Sequence, residues 1–303
     1  MGGADLGRLA DRAGTAVRRR YRARSVSAEQ LRDELRAAGV REGSTLLVHS
    51  SLRRVGAGPD EVLAALRDVL GPDGTLVVPA FTAGNSDTSS IYRTRTRGMT
   101  ARQRSAYRER MRPFRPDETP SEDMGRLAEA VRLSPGAVRS AHPQTSFAAV
   151  GARAADLLAD HDEDCHLGPA SPLARLYEVE ARILLLGVGY AACSAFHLAE
   201  YLVSETPPTR EYRCVVLRDG ERCWISYKDV DLDDRDFADL GRDFEACDTR
   251  RAEPLVRGGR LGGAGVRLVP MRAAVDFASQ WLAGNRPYGV STNQSQIAAG
   301  FLH

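Results

Sequence analysis

Two short apolar runs constrain the fold of this 303-residue chain more than any other feature of its sequence. The segments TLLV at 45–48 and TLVV at 75–78 are typical of strands that are buried on both faces. Between them stand a polar loop that begins at His49 and an amphipathic stretch at 60–70 that predicts a helix. A strand, a loop, a helix and a second strand in this order indicate an α/β domain built in layers.

Further elements follow along the chain. A helix is predicted to begin at Ser27, because Gln30 stands three residues after this cap, as in a capping box. The dipeptide Asp219-Gly220 lies between two apolar stretches and predicts a β-hairpin. The remaining predictions are helices at 124–132, 151–158 and 197–202, a strand at 181–187, a strand and a helix within 266–281, and irregular structure at 84–122.

Charge and cysteine content narrow the class of protein. The 42 basic and 40 acidic residues give a net charge of +2, which favours neither a nucleic-acid partner nor a membrane surface. No apolar run approaches the roughly 20 residues that a membrane span needs. The 5 cysteines contain no CxxC pair, which is typical of neither a disulfide framework nor a zinc knuckle. We therefore expect a cytoplasmic protein.

The domain organisation is predicted to be simple, because no linker or repeat divides the chain. We expect an N-terminal extension at 1–26, a single domain at 27–287 and a loose C-terminal tail at 288–303. The oligomeric state is expected to be a monomer or a homodimer.

The loop HSSLRRV at 49–55 leaves a predicted buried strand and precedes a helix. Hydroxyls, free backbone N–H groups and two arginines at such a turn suit a pyrophosphate. The loop also fits an ordinary strand-to-helix connection, and it is not a Walker loop because the Gly-Lys-Ser/Thr sequence is missing.

A second candidate site is His197, which follows the predicted strand at 181–187. Side chains at the exit of such a strand face the crevice where α/β proteins bind ligands. A histidine there can act as a general base near neutral pH, although a capping or core histidine fits the same pattern. Cys193 as a nucleophile is the weaker alternative, because His197 is its only evident partner.

Other polar groups carry weaker signals. The acidic residues between Asp229 and Asp243 fit a solvated face, or one or two of them orient a histidine or hold a cationic substrate. His142 precedes a proline and is either structural or functional. His161 and His166 are metal-ligand types without a known ligand spacing, so no metal site is expected. No G-x-S-x-G motif indicates a serine hydrolase.

The longer motifs occur together in an order that resembles the antibiotic N-acetyltransferase family, whose best-known members are the aminoglycoside 3-N-acetyltransferases. The resemblance implies a single three-layer α/β domain with a mixed central sheet. It covers residues 46–282 and is carried by the following segments: LLVHSSLRRVG, GPDGTLVVPAFT, RSAHPQTSFAAVG, GPASPLARLYEVEARILLLGVG, FHLAEYL and VRLVPMRAAVDFASQWL.

The resemblance also implies the residues of the site. His197 would take a proton from the substrate amine, Asp229 and Asp231 would orient it, and Ser194 is a candidate donor to the acyl oxygen. Acetyl-CoA would be the co-substrate, and no metal is expected. The predicted acetyl-CoA contacts are Ser50, Ser51, Leu52, Arg53, Val55, Phe81, Thr82 and Met124, and the predicted contacts of the acceptor amine are Asp87, Tyr190 and Glu200.

Two departures from the family pattern concern the acceptor. The loop before His197 lacks the Asp and Asn that relatives often carry, and residues 93–112 contain eight arginines but only one acid, Glu109. A basic lid would repel a polycation, whereas the same segment also fits a solvated, partly helical insertion that reaches only the CoA phosphates. The prediction is an acetyl-CoA-dependent N-acetyltransferase acting on the 3-amino group of an aminoglycoside. Its alternatives are an acyltransferase of secondary-metabolite biosynthesis that uses another amine, and a binding protein without turnover.

Overall fold

The computed structural model describes residues 26–203 and 206–286. Its centre is a sheet of seven strands. In chain order they are β1 (Thr45–Ser50), β2 (Thr75–Pro79), β3 (Val138–Arg139), β4 (Phe147–Gly151), β5 (Arg182–Leu186), β8 (Arg257–Leu261) and β9 (Ala264–Pro270). The two strands missing from this series, β6 (Thr209–Arg218) and β7 (Glu221–Val230), form a separate ribbon.

The sheet is mixed, as the resemblance implied. Its strand order is β3-β4-β2-β1-β5-β9-β8. The central strand β1 runs parallel to β2 and β5, whereas β4 and β9 add to these three strands in the antiparallel direction. Parallel neighbours need crossover connections, so the chain must leave the sheet and return over one of its faces.

Helices cover both faces of the sheet and give the three layers. Side chains alternate along β1, so Leu46 and Val48 enter one core while Leu47 enters the other. The helices of the first face are α1 (Ala28–Ala37), α2 (Pro59–Leu70) and α5 (Arg126–Leu133). Those of the second are α6 (Ala154–Leu158), α7 (Pro172–Glu178), α8 (Phe196–Leu202), α9 (Phe237–Asp248) and α10 (Met271–Asn285).

The ribbon of β6 and β7 turns at Asp219-Gly220, as predicted. Both residues have positive φ, 50° and 80°, which the tight hairpin turn requires. The strands are longer than the sequence indicated, because ten residue pairs face each other across the ribbon. An isolated bridge between Ser86 and Cys214 ties the ribbon to the loop after β2.

Several sequence predictions need correction. Residues 84–122 are not irregular throughout, since they contain α3 (Ser90–Arg95) and α4 (Ala101–Arg110). The α4 helix has no buried residue, so its sequence lacks the apolar stripe by which helices are recognised. Half of the predicted capping box at Ser27 forms, because its hydroxyl accepts from the Gln30 N–H while the Gln30 side chain donates to Glu34.

The predicted ends of the chain stay largely untested. The extension at 1–26, apart from Val26, and the tail at 288–303 lie outside the described residues. Within the described part of the chain, no helix is both long and apolar enough to cross a bilayer.

Candidate active site

The loops that follow β1 and β5 meet at the carboxyl edge of the sheet. The Ser51 N–H donates to the Leu186 carbonyl at 2.8 Å, which continues the pairing beyond the strands. Gly187 has a φ of 67°, and a Cβ there would stand 2.5 Å from the Ser51 carbonyl oxygen. Only glycine allows this approach, so the HSSLRRV loop and the segment leading to His197 lie side by side.

His197 lies in the first turn of α8 and is held by a carboxylate of the same helix. Its Nδ1 is 2.6 Å from Oε2 of Glu200, and the Glu200 side chain is 1% exposed. A carboxylate oxygen accepts, so Nδ1 carries the proton and the lone pair lies on Nε2. The Phe237 ring packs against the imidazole, with 4.7 Å between centroids. This arrangement fixes the tautomer that a general base needs.

Glu200 is itself anchored on its other oxygen. Its Oε1 accepts from the Asp233 N–H at 3.0 Å and from the guanidinium of Arg286. The Arg286 guanidinium also pairs with Asp236, with Nε 2.8 Å from Oδ2. A buried carboxylate therefore has hydrogen bonds on both oxygens, as a charge away from water requires.

The expectation that Asp229 and Asp231 orient His197 is wrong. Asp229 accepts from the His166 backbone N–H at 2.7 Å, from its Nδ1 at 2.9 Å and from the Tyr201 hydroxyl at 2.7 Å. Asp231 is about half exposed and lies 3.0 Å from Nε of Arg210. Glu200 takes the place assigned to them, because three residues in a helix bring side chains onto one face.

Asp229 is a buried carboxylate whose hydrogen-bond partners hold the fold together. Burial acts to raise its pKa, but the hydrogen bonds from His166, Tyr201 and the Val230 N–H outweigh burial and lower the pKa below its usual range. It therefore remains charged and ties β7 to the loop that contains His166.

Ser194 stands three residues before His197, and its backbone carbonyl accepts from the His197 N–H at 3.1 Å. Its hydroxyl oxygen is 3.4 Å from Nε2 of His49 at the end of β1. His49 is 7% exposed, and burial together with the nearby His197 lowers its pKa to about 3. Two segments far apart in the chain thus place a hydroxyl and a neutral imidazole near His197.

A cavity of about 940 Å³ opens along the HSSLRRV loop. Of the predicted acetyl-CoA contacts, Ser50, Ser51, Leu52 and Arg53 line it. Val55 does not, because its side chain is fully buried in the core. The sequence analysis missed Arg126 at the start of α5, which lines the same cavity together with Glu61, Asp123 and Gly125.

The other predicted acetyl-CoA contacts, Phe81, Thr82 and Met124, are not among the residues that line this cavity, although both chain neighbours of Met124 are. Phe81 packs edge-on against Phe147, with 5.6 Å between centroids, and Met124 packs against the core beneath α1, α2 and α5. The buried Thr82 hydroxyl donates to the Pro143 carbonyl at 2.7 Å. Thr82 lines a second cavity of about 530 Å³, whose rim includes the following arginines: Arg95, Arg110 and Arg112.

The residues predicted to bind the acceptor have other partners. Asp87 is 2% exposed and lies 3.0 Å from Nε of Arg108 and 3.1 Å from Nη2 of Arg213. Tyr190 is buried, and its hydroxyl donates to Glu245 at 3.1 Å. Glu200 serves His197. The polar groups of all three are engaged within the protein, and their contact with an acceptor stays a prediction.

An acidic cleft of about 560 Å³ includes Glu200, the partner of His197, in its lining. Its lining includes five carboxylates and two guanidinium groups, together with Pro207, Pro208 and Val230. The charged members are Glu200, Asp231, Asp233, Asp236, Asp239, Arg235 and Arg286. Excess negative charge in a cleft raises the local concentration of cations.

Three buried histidines form a cluster beneath the ribbon. The His142 ring lies 4.7 Å from that of His161 and 4.8 Å from that of His166. Burial lowers the pKa of all three, to about 4 for His161. No group of three or more His, Cys, Asp or Glu side chains in residues 26–203 and 206–286 has the arrangement of a metal site.

The thiol of Cys193 is disfavoured as a nucleophile. It is 1% exposed, and burial raises its pKa to about 12. A thiol with such a pKa supplies almost no thiolate near neutral pH.

Comparison with known proteins places this geometry in a family. A family model described as aminoglycoside 3-N-acetyltransferase matches residues 47–283. Aminoglycoside N(3)-acetyltransferase VII of Streptomyces paromomycinus is 37% identical over 275 residues, which are 85% of this chain and 91% of that protein. The chain therefore belongs to the aminoglycoside 3-N-acetyltransferase family, and it is an N-acetyltransferase.

Solved structures agree with the fold. The crystal structure of the YokD protein from Bacillus subtilis has a TM-score of 0.77 at 32% identity and covers 86% of this chain and 99% of that one. The AAC-IIIb binary complex with CoASH has a TM-score of 0.74 at 29% identity and covers 87% and 98%. The three-layer fold and the family resemblance inferred from the sequence are both confirmed.

Proposed function

We propose that this enzyme transfers the acetyl group of acetyl-CoA to the 3-amino group of an aminoglycoside, with His197 as the general base. The observation that carries the proposal is the pair of His197 and Glu200 at the same sheet edge as the HSSLRRV cavity. An amine attacks a thioester only as the free base, so a positioned proton acceptor is the first requirement of the reaction.

His197 meets that requirement through Nε2, since Nδ1 is committed to Glu200. It removes a proton from the amine as the N–C bond forms. The C–S bond then breaks, and the proton held by His197 returns to the leaving thiolate. One amide and one CoA thiol result, so atoms and charge balance without a covalent acyl-enzyme.

Ser194 is the proposed donor to the acyl oxygen, on which negative charge develops in the transition state. Preorganised donors at this position contribute more than any other single effect in many acyl transfers. The placement of Ser194, with its carbonyl bonded to the His197 N–H, keeps donor and base in one rigid unit.

Several features of the HSSLRRV cavity fit acetyl-CoA. The start of α5 and the turn after Ser51 line the cavity, and Arg53 and Arg126 add positive charge for the phosphates. Gly125 has a φ of 85° and lies so close to the Ser50 carbonyl that a Cβ would be 3.2 Å from it. A family member has been solved with CoASH, which supports the same donor here.

A polyamine acceptor is favoured by the acidic cleft next to Glu200. Its lining has five carboxylates and two guanidinium groups, and Arg210 and Arg242 pair with Asp231 and Asp239 from outside the lining. One negative charge is left in excess, and it favours a cationic acceptor. The names of the relatives, aminoglycoside N(3)-acetyltransferases, point to the same acceptor and to its 3-amino group.

A second acceptor class is favoured by one observation. Asp87 is already neutralised by Arg108 and Arg213, and the cavity beside Thr82 has three arginines at its rim. A neutral or anionic amine from secondary-metabolite biosynthesis would meet less repulsion there than an aminoglycoside.

An acceptor screen tests the proposal. CoA thiol release is measured with the full-length protein, acetyl-CoA and three groups of amines: aminoglycosides with a free 3-amino group, the same compounds already acetylated there, and neutral or anionic amines. Release with the first group and not with the second is expected. CoA release only with the third group would show that the acceptor is a neutral or anionic amine and not an aminoglycoside. A melting temperature raised by acetyl-CoA without release from any amine identifies a binding protein without turnover.

A further inference from the structure

His49 is a buried polar side chain to which the reaction described above gives no task. It is the fifth residue of β1, and its Cα is paired with that of Leu185 in the neighbouring strand. The pairing with β5 therefore fixes its backbone. Its Nε2 points to the Ser194 hydroxyl at 3.4 Å, a long contact of the kind that tightens when substrates bind.

Burial decides the charge of this imidazole. With a pKa lowered to about 3, His49 is neutral at any pH at which the enzyme works. A neutral imidazole has one N–H and one lone pair. It therefore does not compete with His197 for the proton of the amine, and only the identity of the protonated nitrogen is open.

The Ser194 hydroxyl has one proton to give. If Nε2 of His49 were the acceptor, that proton would be used inside the protein and the acyl oxygen would receive nothing from Ser194. If Nε2 carries the hydrogen, His49 donates to the Ser194 oxygen and the hydroxyl proton turns outward. Only the second arrangement lets Ser194 stabilise a developing oxyanion.

We propose that His49 is a positioning residue that donates Nε2–H to the Ser194 hydroxyl and thereby directs the hydroxyl proton to the acyl oxygen. This inference rests on the proposed acetyl transfer. It gives the HSSLRRV loop a second role besides binding acetyl-CoA, because His49, the first residue of that loop, orients the hydroxyl that contacts the acyl oxygen.

A double-mutant cycle tests it. Ser194→Ala is expected to lower kcat about 10²-fold, the usual effect of losing one such donor. His49→Leu should lower kcat by a similar factor with little change in the KM for acetyl-CoA. In the double variant kcat should fall no more than about threefold below Ser194→Ala alone, because both changes remove one interaction. His49→Gln, whose amide can still donate, should recover most of the loss.

The matched control is Val48→Ala, a large-to-small change at the neighbouring buried position on the other face of β1. It should lower the melting temperature but leave kcat nearly unchanged, and its effect should add to that of Ser194→Ala. If the losses in kcat of His49→Leu and Ser194→Ala multiply in the double variant, the inference is overturned. It is also overturned if His49→Gln is as slow as His49→Leu. Absence of acetyl transfer by the unmodified protein would instead refute the proposed function.

Discussion

Two regions of the molecule differ in how their polar side chains are held. One is the sheet edge with His49, Ser194 and His197, and the other is the arginine segment at residues 93–112. At the sheet edge His49 and Ser194 are buried, and His197 pairs with Glu200, which is 1% exposed and bonded on both oxygens. In the arginine segment α4 has no buried residue. Only Arg108 reaches a buried carboxylate there, that of Asp87.

The difference indicates which region determines the rate of the reaction and which region determines the specificity for the acceptor. Groups locked by strands and a helix keep the geometry that proton transfer needs, and a small displacement would be costly. Exposed arginines change the field over the acceptor without touching the reacting atoms. We therefore expect substitutions at the sheet edge to reduce kcat strongly and substitutions in the arginine segment to alter binding mildly.

The largest effect is expected for His197→Ala. Loss of a general base lowers kcat by about 10² to 10⁴-fold, whereas acetyl-CoA affinity should hardly change because the cavity lining is intact. Steady-state rates and calorimetric titration with acetyl-CoA measure the two quantities. A variant that turns over at the unmodified rate removes His197 from the mechanism.

Glu200→Gln should follow with a loss of about 10²-fold in kcat, because a neutral amide no longer selects the His197 tautomer or stabilises its cation. The melting temperature should also fall, since Arg286 loses a buried charged partner. Asp231→Asn is the matched control, and its kcat at saturating acceptor should stay within about twofold of the unmodified value, because Asp231 belongs to an exposed pair with Arg210. The reverse ranking of the two variants would restore Asp231 as the partner of the base.

The histidine cluster joins the body to the ribbon and predicts a pH-dependent stability. The pKa of His161 is about 4 in the folded protein and near 6.5 in the unfolded chain. The unfolded state therefore binds the proton first, and stability that is present above pH 6.5 is lost as the pH falls. His161 alone should contribute a loss of up to about 3 kcal/mol between pH 6.5 and 4.

Urea unfolding at several pH values measures this loss. His161→Gln should be less stable at pH 8, because its contacts to Ser140 and the 165–166 carbonyls change, but its stability should fall less between pH 6.5 and 5. An unchanged slope in the variant would show that other groups cause the acid sensitivity.

The smallest effect is expected in the arginine segment. Arg110→Gln with Arg112→Gln should weaken acetyl-CoA binding by about two- to fivefold, because these exposed charges line the cavity that contains Thr82. The effect should shrink as salt is added. Arg102→Gln with Arg104→Gln, on the same segment but outside that cavity lining, is the control and should bind normally. An equal loss in both pairs would mean that the arginines act only through net charge.

The sequence predicted most of the fold, because buried strands such as Thr45–Ser50 and Arg182–Leu186 contain continuous apolar runs. It also indicated His197 and the HSSLRRV loop as candidates, and the structure brings their two segments to one edge of the sheet. It failed where partners meet across the chain. Asp87 pairs with Arg213, 126 residues away, and no local pattern reveals such a contact.

Glu200 was a different failure, because the signal was present. His197 and Glu200 are three residues apart in a predicted helix, and this spacing alone brings a carboxylate to the imidazole. The long-range alternative, Asp229 and Asp231, was preferred on the family pattern. The partner of Asp229 is His166, 63 residues before it, and only the folded ribbon brings the two together.

A competition experiment tests the central claim most directly. The full-length enzyme receives limiting acetyl-CoA and equal concentrations of an aminoglycoside and an anionic amine, and the products are identified by mass spectrometry and NMR. The account predicts that the aminoglycoside acetylated on its 3-amino group dominates, because the acidic cleft beside Glu200 and not the arginine segment selects the acceptor. Predominant acetylation of the anionic amine would contradict it.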